Sequence, residues 1–227
     1  MIDSEPTPVT STSPQAAEPT LVPAPANDQP KRAGRRQSVQ PVLETLFELY
    51  PQLFGAEFLP LKLGIFQELL AQHPEQLERA SLKTALSVHT RSTPYLQSVA
   101  AGKQRHDLQG VAVEAVAPEH VYLALFELFR RRQSRSAEDL RPRLRKQLMA
   151  AFEASGLTRQ EYRSRVQGRD ADANTLLEEA FAERDQQLAR QEALLRAFES
   201  SGKTATEFAD MYGLDPRDVS RALKRNR

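Results

Sequence analysis

Two cations four residues apart, Arg79 and Lys83, lie in a segment whose apolar residues repeat at helical spacing. Residues four apart share one helix face, so both side chains would project together. Tyr95 offers a ring for stacking and a hydroxyl for a ribose or a phosphate, and Arg105 follows it in a polar segment. Lys62 is predicted at the start of the preceding helix, where free N–H groups favour an anion. These residue types suit contact with RNA, although each alone is more typical of a solvated charge or a half-buried tyrosine.

Three motifs surround these residues: LKLGIF from Leu61, AL-x-x-H-T ending at Thr90, and R-x-D-L-x-G from Arg105. In this order, with a Pro-Tyr turn between the second and third, they resemble the ProQ/FinO family of bacterial RNA-binding proteins. The resemblance covers residues 41–132, which is under half of the chain. Each motif alone would be weak, but the three in this order are fairly specific.

The resemblance implies an RNA site. In that family a helical face and an adjoining pocket grip the base of a terminator-type hairpin and the 3′ single-stranded tail. The residues that match this surface are Lys62, Arg79, Lys83, Thr90, Tyr95 and Arg105. Tyr95 and Arg105 match the pocket for the 3′ end, whereas Asp107 and Gly110 match the hairpin pattern and are expected to be structural.

Two positions depart from the family pattern. Ser87 stands where many members carry a basic residue, and His89 stands where an aromatic residue is common. Both changes weaken the expected contact with duplex RNA. The next cation along the chain, Arg91, is expected to compensate.

The charge balance gives little support to a nucleic-acid partner by itself. The net charge is +1, and residues 40–133 carry nine Lys and Arg against ten Asp and Glu. A nucleic-acid binder usually shows a basic footprint. Any RNA site must therefore come from local clustering of cations, with the acidic residues on another face.

Composition narrows the protein class further. The 227 residues contain no cysteine, which excludes disulfides and thiolate metal sites. The N-terminal residues lack the basic start and apolar core of a secretory signal, and no window approaches the roughly 20 apolar residues of a membrane span. The sequence predicts a cytoplasmic protein that contacts no membrane.

The predicted fold is mostly α, a compact helical domain with a small β-hairpin over residues 40–133. Apolar spacing predicts a first helix that ends at Pro51, a second that begins at Pro60 and a third over residues 75–90, with Val88 facing inward. A short helix then follows Pro94 and ends at Gly102. The segment RHDLQGVAVEAV is typical of a hairpin, and Pro118 opens another helix that ends in three arginines.

Residues 1–39 are predicted to be a disordered tail. They are rich in Pro, Thr, Ser and Ala and cannot bury enough apolar surface to offset the entropy of ordering. The tail ends in the basic run Lys31–Arg36, which is either solvated or an electrostatic arm that contacts phosphates.

Residues 134–227 are predicted to form a helical extension with a 46-residue internal repeat. AFEASGLTRQEY from Ala151 recurs as AFESSGKTATEF from Ala197. In each copy a glycine can end one helix, and a threonine with a glutamate three residues later can cap the next. Each unit is therefore a helical hairpin, a kind of repeat that usually serves self-packing or protein binding.

The second copy continues into a pattern that fits a helix-turn-helix, with Gly213 in the turn. The helix after that turn carries a basic end: Arg221, Lys224, Arg225 and Arg227. An ordinary helical hairpin is the favoured interpretation, and contact with nucleic acid through the last helix is the alternative.

Enzymatic alternatives find little support. The SGKT segment at 201–204 resembles the end of a phosphate-binding loop, but Ala197 replaces the required glycine and no strand precedes it. The four histidines have no metal-ligand spacing, and G-x-S-x-G is absent. We therefore expect a non-enzymatic RNA-binding regulator and RNA chaperone, with no metal or cofactor. The alternatives are a DNA-binding regulator acting through residues 204–227 and a helical protein-interaction scaffold.

Overall fold

The computed structural model describes residues 39–55, 57–217 and 219–220. Over these residues the chain is mostly helical with one two-stranded antiparallel sheet, as predicted. None of the helices described is long and apolar enough to cross a membrane. The predicted disordered tail, apart from residue 39, and its basic run lie outside the described residues.

Among the described residues, five helices precede the sheet. In chain order they are α1 (Gln40–Leu49), α2 (Pro51–Phe54), α3 (Ile65–Gln72), α4 (Arg79–Thr90) and α5 (Thr93–Ala100). Pro51 ends α1 as predicted and also opens the short helix α2. Ser92 caps α5, because its side-chain oxygen accepts a hydrogen bond from the Tyr95 N–H at 3.3 Å. The predicted helix after Pro94 is therefore confirmed.

The predicted start of the second helix at Pro60 is wrong. This helix, α3, begins at Ile65 after Gly64, whose φ of 86° only glycine adopts readily. Residues 60–62 are extended instead, because they pair with the first hairpin strand: the Lys62 N–H donates to the His106 carbonyl at 2.9 Å, and the His106 N–H donates to the Pro60 carbonyl at 2.7 Å. Because this segment pairs with a strand 44 positions away, it is extended despite a local sequence that favours a helix.

The third predicted helix also begins later than expected. Its first residue is Arg79, because Glu78 has an extended backbone with ψ of 137°. The preceding turn buries Leu77. Val88 was predicted to face inward, but it is 41% exposed. Leu82, Ala85 and Leu86 form the buried stripe of α4 instead.

The hairpin consists of β1 (Arg105–His106) and β2 (Ala112–Glu114), with Arg105 opposite Glu114. The Asp107 carboxylate accepts hydrogen bonds from the N–H groups of Gln109 and Val111 at 3.0 and 2.9 Å. Gly110 has a φ of 76°, which permits the turn. The expected structural roles of Asp107 and Gly110 are confirmed.

The helices that follow are α6 (Pro118–Gln133), α7 (Arg141–Ser155), α8 (Arg159–Val166), α9 (Ala171–Ser201) and α10 (Ala205–Tyr212), and the described residues after Asp215 are helical as well. Helix α6 packs against α5 and also against α7 and α8. Buried residues of α1 to α6 and of α7 to α9 belong to one hydrophobic cluster, and the described residues belong to one compact unit. The extension therefore shares its core with the preceding helices.

The predicted repeat is confirmed as two similar helical hairpins, α7–α8 and α9–α10. Gly156 and Gly202 end the first helix of each pair in the left-handed conformation, with φ of 64° and 62°. A complete capping box, Thr–Glu, opens each second helix. Fully buried Tyr162 and Phe208 occupy equivalent positions, each edge-on to a phenylalanine of the preceding helix. The basic end predicted after α10 lies at 221–227, outside the described residues.

Candidate nucleic-acid interface

Helix α4 presents the two predicted cations, Arg79 and Lys83, on one exposed face, which we call the α4 stripe. The Arg79 guanidinium lies 5.8 Å from the centre of the Phe66 ring, so the ring and the cation attract each other. Within the described part of the chain, neither cation forms an ion pair. Both charges are free to meet an anion.

The α4 stripe runs toward the C-terminal end of the helix. Thr90 lies eleven residues after Arg79, about 16 Å along the axis. Its hydroxyl donates to the Leu86 carbonyl at 2.8 Å, which leaves the oxygen able to accept another bond. Arg91 follows as the exposed C-cap of the helix. Arg91 therefore adds a third exposed cation just beyond the stripe.

Lys62 is already paired. Its ammonium lies 2.6 Å from the Glu68 carboxylate, and the hydrogen bond and charge of Glu68 raise the pKa of the lysine above its ordinary value. Because the helix starts at Ile65, Lys62 does not belong to its first turn. A phosphate at this position would have to compete with Glu68.

Tyr95 and Arg105 meet at one residue of the extended segment, Leu61. The Leu61 N–H donates to the Tyr95 hydroxyl at 3.1 Å, and the Leu61 carbonyl accepts from the Arg105 guanidinium at 2.9 Å. The two side chains are 6% and 9% exposed. Burial also raises the pKa of Tyr95. Both residues, predicted as RNA contacts, thus also hold the fold around Leu61.

Arg105 has further partners within the protein. A second guanidinium nitrogen lies 3.0 Å from Nδ1 of His120, and Nε lies 3.9 Å from the Glu114 carboxylate. A guanidinium carries five N–H donors, so some remain for a ligand. The sequence did not predict the contact with His120, because the two residues are 15 positions apart and no local pattern links them.

His89 lies behind Tyr95 in an aromatic cluster with Phe54 and Phe58. Its ring stacks on Phe58 at 4.9 Å and 12° and lies edge-on to Tyr95 at 5.3 Å. Burial lowers the pKa of His89 to about 4, so the ring is neutral at physiological pH. His89 therefore replaces the expected aromatic residue as a packing element and adds no cation to the surface.

Tyr95, Arg105 and Arg91 line a single cavity of about 790 Å³. Leu96, Val99, Leu123 and Phe126 add apolar surface to its lining. Its volume lies in the range of ordinary ligand sites. Lys62, Arg79, Lys83 and Thr90 do not line the cavity. The structure thus divides the predicted site residues into a helical surface and a separate recess next to Arg91.

The cavity also contains residues that sequence reasoning missed. His120 and Arg130 of α6 line it, as do Gly168, Arg169 and Asp170 of the extension. Arg130 was interpreted only as a cation at a helix end, where it suits the dipole. No signal in the sequence placed the segment between α8 and α9 beside Tyr95, because that placement depends on the packing of helices.

Ion pairs occupy several of the cations and acidic residues of residues 40–133. The acidic residues Glu68, Glu114 and Glu127 pair with Lys62, Arg105 and Arg131. These pairs leave the α4 stripe and Arg91 as exposed cations without an acidic partner among the described residues. Local clustering thus produces a basic surface without a basic net charge. Among these residues no group of three His, Asp or Glu side chains is arranged to hold a metal.

Comparison with known proteins gives a consistent match. A model of the ProQ/FINO family matches residues 36–141. The RNA chaperone ProQ of Idiomarina loihiensis is 40% identical over 83 residues, 35% of this chain and 40% of that protein. The RNA chaperone ProQ of Alteromonas mediterranea is 42% identical over 84 residues, 35% and 37% of the two proteins. The chain therefore matches about two fifths of the length of these relatives.

Similarity extends to solved structures. The crystal structure of a FinO-like RNA chaperone from Neisseria meningitidis MC58 is 30% identical, with a TM-score of 0.36. The match covers 39% of this chain and 92% of that one.

Proposed function

We propose, from the match of residues 36–141 to the ProQ/FINO family model, that the chain is an RNA-binding post-transcriptional regulator with RNA-chaperone activity. It binds structured RNAs by shape and by the 3′ end of a hairpin rather than by base sequence. Binding stabilises small regulatory RNAs or promotes their pairing with target RNAs. None of these steps makes or breaks a covalent bond, so the proposed role is not enzymatic.

The observation that carries this proposal is the succession of the α4 stripe, Arg91 and the cavity. Arg79 and Lys83 lie exposed along α4, Arg91 ends the helix, and Arg91 also lines the cavity with Tyr95 and Arg105. A helical surface that leads into a recess suits an RNA with a duplex and a single-stranded end. Thr90, between the stripe and Arg91, can accept a hydrogen bond from a ribose hydroxyl.

The chemistry of the two parts differs. Exposed cations attract duplex phosphates without distinguishing sequence, and their contribution falls with salt. The cavity combines apolar side chains with arginine N–H donors, which suits the base and the phosphate of a single-stranded nucleotide. Lys62 contributes only where a phosphate displaces Glu68 from its 2.6 Å contact.

We propose that residues 40–133 form the RNA-binding domain and that 134–227 form an extension. The two share buried contacts: the hydroxyl of Tyr122 in α6 donates to the carbonyl of Ala173 in α9 at 3.2 Å. Cutting the chain at residue 133 would expose the face of α6 that packs against α7 and α8. The full chain is therefore the right material for binding measurements.

Competition binding tests the proposal. A labelled hairpin RNA with a U-rich 3′ tail is bound to the full chain and challenged with unlabelled hairpin RNA or duplex DNA. We expect the RNA to compete much more strongly than the DNA at the same salt concentration. Stronger competition by DNA would favour a DNA-binding regulator acting through residues 204–227. Binding of neither nucleic acid would favour a protein-interaction scaffold.

A further inference from the structure

The cavity has two walls that come from different parts of the sequence. Arg91 and Tyr95 line it from the end of α4 and the start of α5, whereas Gly168, Arg169 and Asp170 form a second part of the lining, the second wall. Those three residues connect α8 to α9 and lie beyond the span that matches the family, residues 36–141. The second wall is thus a feature of the extension.

Hydrogen bonds within the extension fix this connecting segment. The Asn174 side chain donates to the Gly168 carbonyl at 2.9 Å and accepts from the Gly168 N–H at 3.3 Å. The Asp170 carboxylate accepts from the Ala173 N–H at 3.1 Å and so caps α9. The backbone on both sides of Arg169 is therefore held in place.

Two contacts tie the segment to α6. Asp170 forms an ion pair with Arg130, and the buried hydroxyl of Tyr122 donates to the Ala173 carbonyl. Arg130 itself lines the cavity. The second wall is thus anchored to the helix that carries the rest of the cavity lining.

The cavity lining carries more positive than negative charge: it includes Arg91, Arg105, Arg130 and Arg169, and its two carboxylates, Glu127 and Asp170, pair with Arg131 and Arg130. Arg169 is exposed and, within the described ranges, forms no ion pair, and the same is true of Arg91. Two arginines from distant parts of the sequence, neither of them in an ion pair with the described residues, therefore line one recess. Apolar side chains such as Leu96 and Leu123 contribute to the same lining. A strand with a charged backbone and flat bases fits this combination.

We infer that the extension completes the RNA site, with Arg169 contacting a phosphate of the single-stranded 3′ segment from the second wall of the cavity that Arg91 also lines. Asp170 and Asn174 act as positioning residues for Arg169. This inference rests on the proposed function and adds a residue outside the family match to it. The extension thereby discriminates RNAs with a 3′ tail from RNAs without one.

The test compares two hairpin RNAs that differ only in a U-rich 3′ tail, each bound to the full chain. Arg169→Gln should reduce affinity for the tailed RNA by about tenfold, the scale of one charge-assisted hydrogen bond, and leave affinity for the tailless RNA unchanged. Arg169→Lys, which keeps the charge, should recover part of the loss. Arg190→Gln is the matched control, since Arg190 is an exposed arginine of α9 that does not line the cavity.

The outcomes separate the two proposals. Equal affinity of wild type and Arg169→Gln for the tailed RNA, with Arg91→Gln weakened, would overturn the role of the extension alone. An equal loss for tailed and tailless RNAs would overturn it as well, because the contact would not be with the tail. Failure of the wild type to bind either hairpin would overturn the proposed function and this inference together.

Discussion

The Tyr95 hydroxyl and the Arg105 guanidinium bind the two backbone groups of a single buried residue, Leu61. The two side chains come from a helix and a strand, yet both are fixed by the extended segment between them. Tyr95 and Arg105 also line the cavity. The same two side chains therefore stabilise the fold and shape the proposed site. For substitutions at either residue, the free energy of unfolding has to be measured before RNA affinity is interpreted.

Tyr95→Phe tests the structural half of this relationship. Removing the hydroxyl leaves the buried Leu61 N–H without its acceptor, and we expect a loss of about 1–3 kcal/mol in the free energy of unfolding. Urea denaturation of wild type and variant measures it. A variant as stable as the wild type would show that this hydrogen bond contributes nothing.

The α4 stripe should contribute binding without contributing stability. Lys83→Gln should weaken binding of every hairpin RNA and lower the slope of log affinity against log salt by about 1. The melting temperature should not change, since Lys83 is exposed and forms no ion pair with the described residues. Lys146→Gln, another exposed lysine on α7, is the control and should leave both affinity and slope unchanged. A parallel loss in the control would mean that only net charge matters.

His89 should make the fold sensitive to acid. Its pKa in the folded protein is about 4, against 6.5 for a free histidine. Above pH 6.5 the ring is neutral in both states, and as the pH falls from 6.5 toward 4 only the unfolded chain takes up the proton, so stability decreases. The effect is on the order of 3 kcal/mol by pH 4. His89→Phe, which suits the surrounding aromatic rings, should remove this part of the pH dependence in urea titrations at pH 7 and pH 5. If the variant lost as much stability between pH 7 and pH 5 as the wild type, the pH dependence would come from other groups.

Two tyrosines of the helical core offer a contrast between a bonded and an unbonded hydroxyl. The Tyr122 hydroxyl donates to Ala173, whereas the hydroxyl of fully buried Tyr162 has no partner among the described residues. Tyr122→Phe should cost about 1 kcal/mol. Tyr162→Phe should be neutral or stabilising, as the repeat suggests by placing Phe208 at the equivalent position. Thermal unfolding measures the melting temperature of both variants. A lower melting temperature for Tyr162→Phe than for Tyr122→Phe would contradict this account.

Local signals predicted much of the fold. These signals act within a few positions, so the sequence alone could predict the structures that they form. They are the glycines and Thr–Glu pairs of the repeat, the proline at the start of α6 and the turn residues at 107–110. The extended conformation of 60–62 depends on pairing with His106, and the helix expected there was wrong. The burial of Arg105 and the second wall of the cavity arise from contacts across 15 to 51 positions in the chain, beyond the reach of periodicity and motif spacing.

The family resemblance was visible in three motifs and is confirmed by the match to residues 36–141. The predicted site residues remain proposals. The structure places Arg91, Tyr95 and Arg105 at one cavity and Arg79 and Lys83 on the helix that leads to it, while Lys62 is paired with Glu68.

Recognition of the RNA 3′ end tests the central claim most directly. One hairpin RNA is prepared with a 3′-hydroxyl, with a 3′-phosphate and with a long 3′ extension past its U-tract, and the affinity of the full wild-type chain is measured for each. A recess that receives a terminal nucleotide should bind the 3′-hydroxyl form most tightly, because a 3′-phosphate adds bulk and charge and an extension moves the end away. Equal affinity for all three RNAs would contradict a 3′-end pocket and leave only nonspecific binding to the helix.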